Sequence, residues 1–227
     1  MELSILIPCL NEAATVGLCV RKAREALARN RIPGEVLVID NGSTDATAEA
    51  ARGAGARVVC ETRRGYGAAL MAGIREANGD YLIMADADGS YDHGNIMPFV
   101  DALQKGSDLV MGNRFSGGIE KGAMPLLNRY LGNPLLSFIA GMLYTRSVKD
   151  YACGQRAFTK SAAEIMDLKT PGMEFAYEMV IRAHVLDLKI TEIPVHLYRD
   201  RRQDRPRLRP FRDGMRTLLL ILAMKRA

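Results

Sequence analysis

Two carboxylates separated by one residue, Asp86-Ala-Asp88, follow the apolar run Tyr81–Met84. At positions i and i+2 of extended backbone, side chains point to the same side, so this pair can share a hard divalent cation. Mg²⁺ or Mn²⁺ takes one or two protein carboxylates and completes its shell with water and phosphate oxygens, which suits a metal-bridged diphosphate. A solvated acidic turn is the plainer reading of the same three residues. The run before the pair and a helical pattern from Gly94 after it favour a ligand edge.

The other places where chemistry is concentrated also follow short apolar runs. Asp40 follows Val36–Ile39, where a carboxylate can accept hydrogen bonds from a base or ribose; Asp45 is better suited to start the next helix. Asn11 and Glu12 follow Leu3–Ile7 and fit a helix start, an acidic residue being favoured there by the dipole. Arg63, Arg64, Gly65 and Gly67 follow Val58–Cys60 and can bring backbone N–H groups and a cation to phosphate, or form a glycine turn with a solvated basic pair. Gly112-Asn-Arg114 follows Leu109–Met111.

The elements that must position these residues alternate. Buried-strand runs are separated by helical patterns from Asn11 or Glu12 to Ala28, from Thr44-Asp45 to Ala51 and from Gly67 to Ala77. Strand and helix in alternation imply right-handed crossovers and a mainly parallel sheet covered on both faces, an α/β fold. In such sheets ligands lie beyond the carboxyl ends of the strands, where all five polar clusters fall. Neither GxGxxG nor GxxxxGK[ST] occurs at these ends, so dinucleotide and P-loop fingerprints are excluded.

Taken in order, Pro8-Cys-Leu-Asn-Glu12, Asp40-Asn-Gly-Ser-Thr-Asp45, Arg64-Gly-Tyr-Gly67, Asp86-Ala-Asp88 and Gly112-Asn-Arg114 resemble the family-2 glycosyltransferases of GT-A fold. Within them, the likeness is to the dolichyl-phosphate (polyprenyl-phosphate) mannosyl- and glucosyltransferases. It continues through Asp150-Tyr-Ala-Cys-Gly-Gln-Arg156, Gly172-Met-Glu-Phe-Ala-Tyr-Glu178 and Ile193-Pro-Val195.

The resemblance implies a GDP-mannose or UDP-glucose type donor bordered by Pro8, Asn11, Glu12 and Asp40. Arg64, Gly65, Gly67 and Ala87 would lie along it, with Mg²⁺ or Mn²⁺ on Asp86 and Asp88. Enzymes of this branch often place Gln two residues after the second metal Asp; here Ser90 stands there, with Asp92 as the alternative ligand. Arg114 and Arg129 are implied to hold an acceptor phosphate. An alcohol acceptor would need a general base, with Glu178 or Asp150 as candidates, whereas a polyprenyl phosphate is already an anionic nucleophile. Arg129 lies in Leu126–Leu131, which suits either a bilayer interface or a core helix closing the site.

Charge divides the chain at about residue 198. Residues 1–198 carry 21 basic and 23 acidic side chains, residues 199–227 carry 10 and 3. A catalytic domain over 1–198 is therefore expected to precede a basic segment over 199–227. Eight of the basic residues are arginines between Arg199 and Arg216. Such a segment, Arg202 included, can fold over a diphosphate with bidentate guanidinium groups or attract anionic lipid. With Phe211 as its one aromatic and a slightly acidic domain before it, nucleic acid is not an expected partner.

Thr217–Met224 opens an apolar helix; many enzymes of the resembling family continue here into transmembrane helices, so the run fits either the start of such a region or a member that lacks it. The four cysteines are widely spaced, which excludes a disulfide scaffold, and no signal peptide is expected. These features fit a location on the cytoplasmic face of a membrane. The reading to be carried is an inverting transferase acting on polyprenyl phosphate, against a hydroxyl-acceptor enzyme of the same fold or a non-catalytic sugar-nucleotide-binding scaffold.

Overall fold

The structure, a computed structural model, describes residues 2–202 and 210–225. Its first strand β1, Leu3–Cys9, is buried along its whole length because alternate residues serve opposite faces. Leu3, Ile5 and Ile7 meet helices α1 (Ala13–Arg29) and α4 (Met97–Gln104) on one side. Leu6 faces the other side, packed with α3 (Tyr66–Glu76) and α8 (Phe175–Val185). Each such aliphatic side chain removed from water contributes about 1.5–3 kcal/mol, so the strand holds both helical layers to the sheet.

The remaining strands are β2 Gly34–Asp40, β3 Arg57–Cys60, β4 Tyr81–Met84, β5 Leu109–Asn113, β6 Arg156–Thr159 and β7 Ile190–Pro194. They form one seven-stranded sheet in the order β3-β2-β1-β4-β6-β5-β7. The first four strands in that order run parallel, β6 pairs antiparallel with both β4 and β5, and β5 runs parallel to β7. The five expected strands are all present, joined by two that the apolar runs did not reveal.

Several boundaries differ from expectation. Pro8 lies inside β1, not after it. Leu6 O accepts from Ala85 N and Cys9 O from Asn41 N, so Pro8, in phase with Leu6, turns its missing N–H toward β4. That ladder has already ended at Leu6 and Met84, and no hydrogen bond is lost. Asp40 is the last residue of β2, and Arg114 opens a short helix α5, Arg114–Gly117. The helix α2 spans Thr47–Gly53, with α7 at Lys160–Met166 after β6.

Asn128–Gly132 forms one π-helical turn that runs into α6, Asn133–Leu143. The last helix, α9 at Pro210–Met224, packs Ile221 into the core beside α6 and α8, and its Ile221 carbonyl accepts from the Tyr144 hydroxyl at 2.7 Å. Among the described residues no helix is long and apolar enough to cross a membrane. Of the basic segment, Arg205, Arg207 and Arg209 lie outside the described residues.

Candidate active site

The loops after β1 and β2 are stitched together. Asn11 adopts a left-handed φ of 48°, its N–H donates to Ser43 Oγ at 2.8 Å, and its Oδ1 accepts from Thr44 N at 2.7 Å. Glu12 N donates to Thr47 Oγ1 at 2.7 Å, and Ala13 N to Asp45 Oδ2 at 3.2 Å, so groups on the second loop satisfy the start of α1. Asp45 also accepts from Thr47 N at 3.1 Å, the helix-starting task expected of it. Asp40 is buried and accepts from Ser43 N at 2.9 Å, which fixes its carboxylate at the strand end.

Asn41 does what no motif indicated. Its side chain donates to Glu61 O and Arg63 O and accepts from Gly65 N, holding the loop after β3 against the loop after β2. Asn41 O in turn accepts from Arg64 at 3.0 Å. Gly65 and Gly67 have a reason for being glycine other than a phosphate. A Cβ on Gly65 would lie 2.1 Å from Pro171 O, and one on Gly67 2.1 Å from Thr170 O. The loop before α8, not open space for a ligand, therefore occupies that side of both residues.

The carboxylate pair sits where β4 ends. Asp88 Oδ1 accepts from Ser90 N at 2.9 Å, and Ser90 O accepts from Tyr198 N. Ser90 is buried in this turn, while Asp92 accepts from Gly94 N and lies 3.6 Å from Lys22 Nζ, so its carboxylate is directed to α1. Asp86 rests against Gly154, where a Cβ would meet its Oδ2 at 2.6 Å. Burial and the Asp88 charge push the Asp86 carboxyl up to about 6, against a hydrogen bond from Tyr66 and the charges of Arg202 and Arg114. Ala87 is buried between the two, its carbonyl accepting from Cys19 Sγ.

Among the described residues no three His, Cys, Asp or Glu side chains form a metal cage. The donor set nevertheless suits a hard cation that keeps open positions for phosphate, two carboxylates at one strand end, and on one of them, Asp88, a side-chain cation already stands. Arg202 Nη2 is 3.3 Å from Asp88 Oδ2 and Nη1 is 3.2 Å from Glu12 Oε1, with Asp200 bound to the same guanidinium. Asp86 and Asp88 are the residues that would hold Mg²⁺ or Mn²⁺. Burial raises the Cys19 and Cys153 thiols to about 12, so neither offers a thiolate ligand beside the carboxylates.

Of the four residues expected to act on the acceptor, three are engaged within the fold. Arg114 is buried and forked onto Asp150, Nε to Oδ2 and Nη2 to Oδ1 at 2.7 Å each, while Asp150 also accepts the Arg114 N–H. Glu178, expected as a candidate base, accepts from Lys169 N, Thr170 N and Thr170 Oγ1. Both of its oxygens thus serve the loop that covers Gly65 and Gly67, and Asp150, the second candidate, is fully buried on Arg114. Arg129 lies on the π-helical turn with its guanidinium over Tyr130, 5.5 Å from the ring centre.

This sheet, with its paired carboxylates and stitched strand-end loops, defines a GT-A glycosyltransferase, and the chain belongs to glycosyl transferase family 2, whose profile matches residues 4–165. It is 38% identical to the low-salt glycan biosynthesis hexosyltransferase Agl6 of Haloferax volcanii over 97% of this chain, and spans 53% of that protein's length. The dolichyl-phosphate hexose transferase of the same organism is 30% identical over 94% of this chain and 89% of its own. Glucosyl-3-phosphoglycerate synthase from Mycobacterium tuberculosis, solved with Mn²⁺, UDP-glucose and phosphoglyceric acid, superposes with a TM-score of 0.75. It is 24% identical, covering 99% of this chain and 79% of that one.

Proposed function

We propose that this enzyme transfers a hexose, with inversion, from a nucleotide sugar to a polyprenyl phosphate at a membrane surface. Asp40, Asn11 and Glu12 would border the nucleoside, and Asp86 and Asp88 the diphosphate. A metal on that pair supplies charge stabilisation for the departing nucleoside diphosphate. The observation that carries the acceptor reading is the engagement of Glu178 and Asp150. Both candidate bases are spent on hydrogen bonds within the fold, which suits an acceptor that arrives already ionised. Its phosphate oxygen attacks the anomeric carbon, the bond to the leaving diphosphate breaks on the opposite face, and no proton has to be moved.

The surface supports the same reading. Leu131 on the π-helical turn and Leu135, Phe138 and Met142 along α6 are exposed, as are Phe211, Met215, Leu219 and Leu222 along α9, which touches both. Phe211 is 85% and Leu126 72% exposed. Apolar faces of this kind, flanked by basic residues, suit the headgroup boundary of a bilayer, where Arg129 would meet a lipid phosphate. The relatives' names, a hexosyltransferase and a dolichyl-phosphate hexose transferase, point the same way.

The donor half is tested by thermal unfolding with GDP-mannose and UDP-glucose, each with Mn²⁺ or Mg²⁺. A ligand at a hundred times its Kd stabilises a folded protein by about 2.7 kcal/mol, so one nucleotide sugar is expected to raise Tm only when metal is present. A Tm unmoved by either donor would remove the donor-site assignment.

A further inference from the structure

Arg202 reaches the carboxylates from a strap of chain fixed at several points. Leu197 N donates to Gly118 O, Tyr198 N to Ser90 O and Arg201 N to Asp88 O, each at 2.9 Å. Arg199 N donates to Glu120 Oε2 at 2.9 Å. The strap therefore lies along the Asp88–Ser90 turn and directs the guanidinium inward, with Asp200 accepting from Nε at 2.8 Å. The Arg202, Asp88 and Glu12 side chains are 17%, 11% and 8% exposed, so these charges meet largely away from water.

A side-chain cation thus stands on Asp88, one of the two carboxylates assigned to the metal. A divalent ion cannot take Asp88 Oδ2 while Nη2 holds it without bringing two positive centres together. A metal arriving alone would displace the guanidinium into a poorly hydrated site beside a charge of like sign, which is strongly unfavourable. A metal arriving with a diphosphate brings the anion to which a guanidinium binds best, through paired N–H donors.

Resting on the assignment of Asp86 and Asp88 to the metal, we propose that Arg202 is an exchangeable counter-ion that makes metal and nucleotide bind as a pair. In the donor-free protein it neutralises Asp88 and Glu12. When metal and nucleoside diphosphate arrive together it yields Asp88 to the metal and bonds to the diphosphate. After transfer its return to Asp88 favours release of metal and product as one unit.

Free Mn²⁺ measured by electron paramagnetic resonance, titrated into the full chain without nucleotide and then with UDP or GDP, tests this exchange. The unaltered protein is expected to bind Mn²⁺ weakly alone and more tightly with whichever nucleotide it accepts. Arg202→Gln should bind Mn²⁺ alone roughly tenfold more tightly and lose most of the tightening by nucleotide, the two being faces of one coupling. Arg202→Lys, which keeps the charge without the fork, should keep Mn²⁺ binding weak when alone. Asp200→Asn, which loosens the guanidinium without removing it, should move Mn²⁺ affinity in the same direction as Arg202→Gln, by less. A circular dichroism melt shows that each variant is folded. If Arg202→Gln binds Mn²⁺ alone no better than the unaltered protein, which itself still binds Mn²⁺ with nucleotide, the exchange is wrong and the donor site stands. If Mn²⁺ binds under no condition, the exchange and the metal assignment both fall.

Discussion

Asp86 owes its position to atoms that are missing as much as to those present. Gly154 leaves the space its carboxylate fills, and the proximity of Asp88, with burial, raises its pKa from 3.8 to about 6. The folded protein then favours the protonated form more than the open chain does. Stability from this residue is fully present below the ordinary carboxylate pKa and is lost as pH rises through 6, costing the metal-free protein about 3 kcal/mol at neutral pH. Asp86→Asn is expected to raise the metal-free Tm at about pH 7.5, with the gain fading toward about pH 4. An equal gain at both would assign the effect elsewhere. Glu178→Gln tests the other carboxylate: placing an amide N–H₂ among groups that donate should cost about 1–3 kcal/mol of stability while leaving kcat within a few-fold. A folded variant with intact donor binding but severely reduced kcat would return Glu178 to the role of base. The residue types of the site were legible, because Asp, Asn and Arg after apolar runs announce themselves. Their partners were not, since Gly154 and Asn41 act through tertiary contacts that no local spacing encodes.

The elements most readily read were those whose burial leaves an apolar run, β1 to β5. The strand β6 escaped because it starts with Arg156, fully buried yet satisfied by the carbonyls of Tyr151, Cys153 and Ala176. A buried cation with complete hydrogen bonding looks in sequence like a surface residue. The strand β7 escaped because it is an edge, half-exposed, with Glu192 bonded to Asn113 and to the N–H groups of Lys149 and Asp150. The glycines at the start of α3, Gly65 and Gly67, were legible as a special turn but not for their reason, the approach of the loop at Thr170 and Pro171. Gly65→Ala adds a Cβ 2.1 Å from a carbonyl oxygen at a φ of 138° and should destabilise the protein by about 2–4 kcal/mol in urea unfolding. A change below about 0.5 kcal/mol would show that this loop is free to move away. The same loop is tied to α9 through Arg216 and Glu174, 2.5 Å apart, which links it to the apolar helix.

At the scale of the molecule, a slightly acidic stretch over residues 1–198 carries a basic end, and α6 and α9, each with exposed apolar side chains, touch. This arrangement predicts that Phe138→Glu with Leu219→Glu lowers co-sedimentation with anionic vesicles, while leaving nucleotide affinity in solution unchanged. Undiminished sedimentation would place the lipid-facing surface elsewhere. The most direct test of the function follows labelled hexose from GDP-mannose or UDP-glucose into lipid extract, offering a polyprenyl phosphate in parallel with the corresponding polyprenol. The expected result is label in the phosphate-containing lipid alone, abolished by chelation of divalent metal and by Asp88→Ala. Equal labelling of the polyprenol, or labelling of a soluble acceptor with neither lipid labelled, would contradict it.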